Sequence, residues 1–181
     1  TGISSSFVIM AQTMEPDNFK KIILVNPSDI NIIKEMPTKE TKAAKTILEI
    51  PILGTFIYNL IMHHKRIRNY IESKYFFKKT FLSSKLEDTY FESAHKGNSA
   101  GKYLLASTKG NYVNIDISNA VKKADNLYII SSRERNNAVA ITEKYLHLNK
   151  NIEATYISNS RYLPQLETPD KFKDIVLMFL Q

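Results

Sequence analysis

The order of strand-like and helix-like segments constrains the fold of this chain more than any other feature of the sequence. Three short runs rich in β-branched residues have the pattern of strands: Lys21–Asn26 (KIILVN), Asn126–Ser131 (NLYIIS) and Glu153–Ser158 (EATYIS). Helical patterns accompany them at Ser5–Met14, at Asn137–Leu146 and from Pro169 to about Leu180. Strands that are separated by helices pair in parallel through right-handed crossovers. The sequence therefore predicts an α/β fold in which the three strands are neighbours in one parallel sheet.

Between the first and second predicted strands lies a block that carries helical patterns only. It extends from Thr38 to Lys109, with helices predicted at 38–48, 51–62, 66–75, 86–95 and 100–109. A helical insertion between two parallel strands is typical of a lid. We therefore predict two domains: a core formed by residues 1–37 and 110–181, and a helical cap formed by residues 38–109 that packs over the carboxyl ends of the strands.

The formal net charge of +7 raises the question whether the chain binds nucleic acid. Most of the net positive charge lies between His63 and Lys85, where there are seven basic residues and one acidic residue. Five aromatic residues are interspersed among them. Such a segment can be a surface for anionic lipid or nucleic acid. It can equally be the solvated face of a cap whose aromatic side chains point inward. We prefer the second interpretation, because the chain is also rich in isoleucine and asparagine, and AT-rich codons would favour all three residue types; we expect no nucleic-acid partner.

Several classes of protein are excluded by what the sequence lacks. It has no cysteine, which rules out disulfides, cysteine-ligated zinc and a thiol nucleophile and fits a reducing compartment. The first residues lack the basic segment of a signal peptide. The most apolar stretch, Ile47–Met62, is interrupted by Glu49, Pro51 and Asn59 and falls short of the ~20 residues that a spanning helix needs. We expect a cytoplasmic protein with no integral membrane segment.

Two further segments carry motifs. The first is Gly2-Ile3-Ser4-Ser5-Ser6, which opens a helix and precedes KIILVNPSDI. The second is the run from Tyr156 to Phe172, YISNSRYLPQLETPDKF. Together and in this order they resemble the α/β-hydrolase family. The first is similar to its nucleophile elbow G-x-S-x-G, with Ser6 in place of the last glycine. The second is similar to its ending, in which a Gly-His pair is followed by Leu-Pro-Gln-x-Glu-x-Pro and an amphipathic helix.

The resemblance covers nearly the whole chain from the elbow onward, and it implies roles for four residues. Ser4 would be the nucleophile, and the backbone N–H of Ser5 would be a donor to the oxyanion. Glu134 falls at the place of the triad acid, just after the second predicted strand. Arg161 stands where the family has its catalytic histidine. Arginine stays protonated and cannot accept the proton of a serine, so a conventional general base is missing.

Each of these assignments has a structural alternative. The three serines can be a polar helix cap, and Glu134 can be a surface carboxylate paired with Arg133 or Arg135. None of the four histidines stands at the family's histidine position. His95 is the one that could face the site, but a helix C-terminus favours a histidine through the helix dipole, and this explains its position better.

The resemblance implies an ancestral serine-hydrolase chemistry, the hydrolysis of an ester or similar acyl substrate. Arg161 would impair this reaction. The resemblance implies no metal or organic cofactor. An apolar pocket under a cap would favour a small or medium apolar acyl substrate. The alternative is a non-catalytic binding module in which Arg161 holds a carboxylate or phosphate. Because the family has strands before its elbow, we also expect a missing N-terminal half of the fold as a partner, and an exposed sheet edge beside Lys21–Asn26.

Overall fold

The computed structural model describes all residues from Thr1 to Gln181. Eleven α-helices and three β-strands follow one another along the chain: α1 (Ser4–Met14), β1 (Ile22–Val25), α2 (Ile30–Ile33), α3 (Lys39–Glu49), α4 (Pro51–Ile61), α5 (His64–Lys74), α6 (Ser84–His95), α7 (Gly101–Lys109), α8 (Ser118–Lys123), β2 (Leu127–Ser132), α9 (Ala138–Leu148), β3 (Glu153–Ile157), α10 (Pro164–Glu167) and α11 (Pro169–Leu180). They belong to two compact units. We call residues 1–34 and 115–181 the sheet unit and residues 35–114 the helical unit.

The sheet unit is built on one parallel sheet with the strand order β1–β2–β3, so the predicted α/β fold is confirmed. All six residues of the central strand β2 are buried, which explains why its sequence is continuously apolar up to two final serines. Strand β1 lies at one edge. Beyond its carboxyl end, Gly2 forms a single parallel bridge with Pro27.

Helices cover both faces of the sheet. On one face, Leu24 of β1 and Ile129 of β2 share a core with Ile9 of α1, Val121 of α8 and Tyr145 of α9. The other face is covered by α11, whose apolar side packs on the buried residues of β2 and β3. Burying apolar surface on both faces is what a parallel sheet requires. The family resemblance implied an amphipathic helix at this place, and the packing of α11 on the sheet accounts for its apolar side.

Two helices begin without a side-chain cap. The hydroxyl of Thr168 donates to the carbonyl of Pro164 instead of accepting from α11, because the short helix α10 ends directly before it. Asn137, before α9, has a left-handed backbone (φ 58°) and forms no capping hydrogen bond. By contrast, Thr38 caps α3 in a reciprocal capping box with Thr41.

Left-handed backbone outside glycine falls almost entirely on asparagine. Seven residues that are not glycine have positive φ, and six of them are asparagines: Asn26, Asn98, Asn111, Asn126, Asn137 and Asn159. Asparagine tolerates this conformation better than most residues because its short side chain can form local hydrogen bonds. Two of the six flank strands directly, so strand ends and turns depend on this residue type.

The helical unit contains α3 to α7. Helices α3 and α4 meet at an angle of 98°, and a Cβ on Gly54 would overlap the carbonyl oxygen of Leu48, so the bend requires glycine there. Helix α4 exposes several large apolar side chains, with Ile52 at 86% and Phe56 at 63% of full exposure. No single helix is long and apolar enough to cross a membrane; α3 and α4 meet that length and composition only as a bent pair.

Candidate functional site

The N-terminal segment turns sharply into helix α1 next to the end of β1. The N–H of Gly2 donates to the carbonyl of Asn26 (3.2 Å), and Gly2 has a φ of +58°, which favours glycine. Helix α1 begins two residues later at Ser4, whose side chain is exposed. The left-handed residue of this turn, which we call the elbow turn, is Gly2.

The remaining serines of the motif are buried. The hydroxyls of Ser5 and Ser6 have no hydrogen-bond partner. The N–H of Ser5, predicted to be an oxyanion donor, donates to the carbonyl of Gly2 (3.1 Å). In this conformation that N–H is engaged within the turn itself.

A buried polar network joins the strand ends, and its centre is Asn26. The Nδ2 of Asn26 donates to the hydroxyl of Ser132 and to the carbonyl of Tyr162, both at 3.0 Å. Its Oδ1 accepts from the N–H of Ser132 (2.8 Å), and the hydroxyl of Ser160 donates to that of Ser132 (2.9 Å). The network ties β1 and β2 to the loop that follows β3. Sequence reasoning missed Asn26, although an asparagine-proline pair directly after a buried strand was a usable signal.

The carboxylate of Glu134 is bound to the same loop. It accepts from the N–H of Asn159 (2.9 Å) and from the N–H of Ser160 (3.2 Å). No salt bridge forms between it and Arg133 or Arg135. The half-buried Glu134 therefore fastens the turn after β2 to the turn after β3, across 25 residues of sequence.

Arg161 and Tyr162 follow on that loop. The backbone N–H of Arg161 donates to the carboxylate of Glu167 (2.7 Å), and its side chain is half-buried. The hydroxyl of Tyr162 lies beside the turn: a Cβ placed on Gly2 would be only 2.6 Å from it. The guanidinium of Arg135 stands 5.2 Å from the centre of the Tyr162 ring, and burial lowers the pKa of that guanidinium. The structure thus brings together the elbow turn, the loop of Glu134 and the loop of Arg161.

Two histidines of the helical unit have partners there. The ring of His95 is bonded through Nδ1 to the carbonyl of Phe91 one turn earlier in α6 (2.9 Å). The ring of His64 contacts the carboxylates of Glu87 (2.8 Å) and Asp88 (3.2 Å). No group of three or more His, Asp or Glu side chains in the chain is arranged to hold a metal ion. The bond to Phe91 gives His95 the helix-end role that the sequence favoured.

Comparison of the sequence with known proteins gave no result: no protein-family model matches it, and no curated protein does. Comparison of the structure with solved structures gave many matches. Cfl2 of Burkholderia cenocepacia matches with a TM-score of 0.73 at 10% identity, over 99% of this chain and 63% of its own. The 2-hydroxy-6-oxo-6-phenylhexa-2,4-dienoate hydrolase of a Rhodococcus strain matches with 0.68 at 14% identity, over 97% and 60%. A serine hydrolase of the hydrocarbon-degrading bacterium Cycloclasticus zankles matches with 0.66 at 13%, over 97% and 60%.

Likeness at such low identity identifies a fold. The chain has an α/β-hydrolase fold, as the motifs at its two ends led us to expect. It spans about 60% of the length of the solved structures that it matches.

Proposed function

We propose that the chain is part of an α/β-hydrolase family protein whose ancestral chemistry, serine-dependent hydrolysis of an ester or similar acyl substrate, is impaired. The observation that carries the proposal is Arg161. It stands on the loop beside the elbow turn, where the resemblance expects the histidine base, and a guanidinium has no lone pair with which to take a proton.

The elbow supports the proposal independently. In a nucleophile elbow the reactive side chain sits on the strained strand-to-helix turn itself, which exposes its hydroxyl. Here the left-handed residue of the turn is Gly2, which has no side chain, and Ser4 already belongs to α1. We infer that Ser4 lies past the position from which a serine would attack. The engaged N–H of Ser5 agrees with this reading, since an oxyanion donor must be free to point at the substrate.

Glu134 completes the argument. A triad acid orients the histidine through a hydrogen bond to its ring. The two bonds that Glu134 accepts come from backbone N–H groups of the loop before Arg161, so its role in our proposal is to hold that loop. This use of the carboxylate also favours the second candidate function, a non-catalytic binding module that keeps the fold.

The proposal is tested by labelling the purified protein with a serine-directed fluorophosphonate and by measuring hydrolysis of a short-chain activated ester. In serine hydrolases, removing one triad member lowers turnover by about 10⁴ to 10⁶. We therefore expect no labelling, and equal background hydrolysis by the wild type and by Ser4→Ala. Arg161→His alone should restore nothing, because Ser4 is displaced from the turn. Labelling of the wild type that disappears in Ser4→Ala would make Ser4 the nucleophile and overturn the proposal.

A further inference from the structure

The helical unit has a cavity of about 440 Å³, partly open to solvent at the exposed Tyr70, that the site at the strand ends does not use. Its walls come from α4, α5, α6 and α7. Ile67 and Ile71 of α5 are almost fully buried and provide an apolar lining. The volume lies within the range of roughly 300–1,000 Å³ that is usual for small-molecule sites.

Three tyrosines line the same cavity in a row. The rings of Tyr70 and Tyr75 meet edge-on with centroids 5.9 Å apart, and those of Tyr75 and Tyr90 are 6.5 Å apart. Aromatic rings arranged in this way offer an extended apolar surface with hydroxyl groups at the edge. The lining therefore suits a ligand with an apolar body.

The charged residues of the lining are all basic. Arg66 of α5 and Lys109 of α7 reach the cavity, and no acidic residue is part of its wall. Neither of them forms a salt bridge. The nearby acids Glu72 and Glu87 are instead paired with Arg68, at 3.1 and 3.5 Å. Two cations without a carboxylate partner, beside an apolar lining, are complementary to an amphipathic anion.

We propose that this cavity binds an aliphatic carboxylate of medium chain length, with its carboxylate at Arg66 and Lys109 and its chain against Ile67 and Ile71. At about 30 Å³ for a group the size of a water molecule, the cavity has room for roughly fifteen such groups. A ten-carbon carboxylate fits within that room. The proposal does not depend on the proposed function, because it involves no residue of the elbow, of the Glu134 loop or of the Arg161 loop.

The test is a titration of the purified 181-residue chain with decanoate and with decanol, followed by calorimetry. Decanoate should bind saturably and more tightly than decanol, because only the carboxylate meets the two cations. Arg66→Gln and Lys109→Gln should each weaken decanoate binding about tenfold, as expected for one charge-assisted hydrogen bond, and leave decanol binding unchanged. Lys74→Gln is the matched control: it removes a charge from the same helix α5 but not from the cavity, and should change neither affinity.

A further variant tests whether the alkyl chain of the ligand lies in the cavity. Ala94→Phe places a ring in the cavity and should abolish binding of both ligands, with far-UV circular dichroism confirming the fold. If that variant fails to fold, the two Gln variants decide the test, since they change exposed side chains. The proposal is refuted if decanoate does not bind the folded wild type, if decanol binds equally well, or if Lys74→Gln weakens decanoate as much as Arg66→Gln does.

Discussion

Replacing Asn26 by alanine should be among the most destabilising single changes in the sheet unit. The side chain is fully buried and takes part in three hydrogen bonds, two with Ser132 and one with the carbonyl of Tyr162. Alanine removes all three and leaves the N–H of Ser132 buried without a partner. It also places an ordinary side chain at a φ of 48°, where asparagine is better tolerated.

The size of the effect follows from these losses. A net contribution of about 1 kcal/mol for each hydrogen bond gives roughly 3 kcal/mol, and an orphaned buried group adds about 1–3 kcal/mol. We therefore expect Asn26→Ala to lower the free energy of unfolding by about 4–6 kcal/mol, a large part of the 5–15 kcal/mol that is usual for a domain. Asn26→Gly is the matched control. It loses the same hydrogen bonds but relieves the left-handed backbone, so it should be roughly 1 kcal/mol less harmful than alanine.

Urea unfolding followed by far-UV circular dichroism measures these differences. Limited trypsin digestion adds a local reading, because Arg161 lies on the loop that Asn26 holds through Tyr162, and cleavage after Arg161 should accelerate in both variants. If Asn26→Ala unfolds within 1 kcal/mol of the wild type and the loop is cut no faster, the network does not hold the strand ends together, and our account of the site's architecture is wrong.

Three further changes test other parts of the molecule. Gly54→Ala should destabilise the helical unit by about 2 kcal/mol or more, because its Cβ would overlap the carbonyl of Leu48, and a thermal melt that is unchanged would contradict the bend described here. Ser6→Ala should be neutral or stabilise by up to about 1 kcal/mol, because the buried hydroxyl that it removes has no partner; a clear loss in urea unfolding would reveal one. Partial burial raises the pKa of Asp29, but hydrogen bonds from Lys144 and from a backbone N–H outweigh it and leave the pKa below its usual 3.8. The stabilisation is therefore present above about pH 4 and lost as the pH falls through the lowered value. Asp29→Asn should cost less than about 1 kcal/mol at pH 7 and nothing near pH 2, and an equal loss at both would rule out the ion pair as its cause.

The sequence predicted the sheet well, because each strand is a compact β-branched run whose neighbours cannot continue it. All three predicted strands lie within one residue of the observed ones at each end. It missed α2, α8 and α10, which have only four to six residues and give no periodic pattern.

The site was harder to predict, because its contacts join distant residues. The bond from Asn26 to Ser132 spans 106 positions, and no local pattern announces it. The motif Gly2-Ile3-Ser4 also does not show which residue of the turn has left-handed backbone, since both glycine and serine are small. The pairing of Gly2 with the end of β1 determines this, and that pairing is visible only in the fold.

The left-handed asparagines are positions at which the stability of this protein could be raised. The chain has 15 asparagines and only 5 glycines. At six turns an asparagine adopts a positive φ that glycine would meet with less strain. Asn26 is the exception, because its buried side-chain hydrogen bonds require an asparagine. At the exposed turns, asparagine-to-glycine changes offer a direct route to a more stable form of the protein.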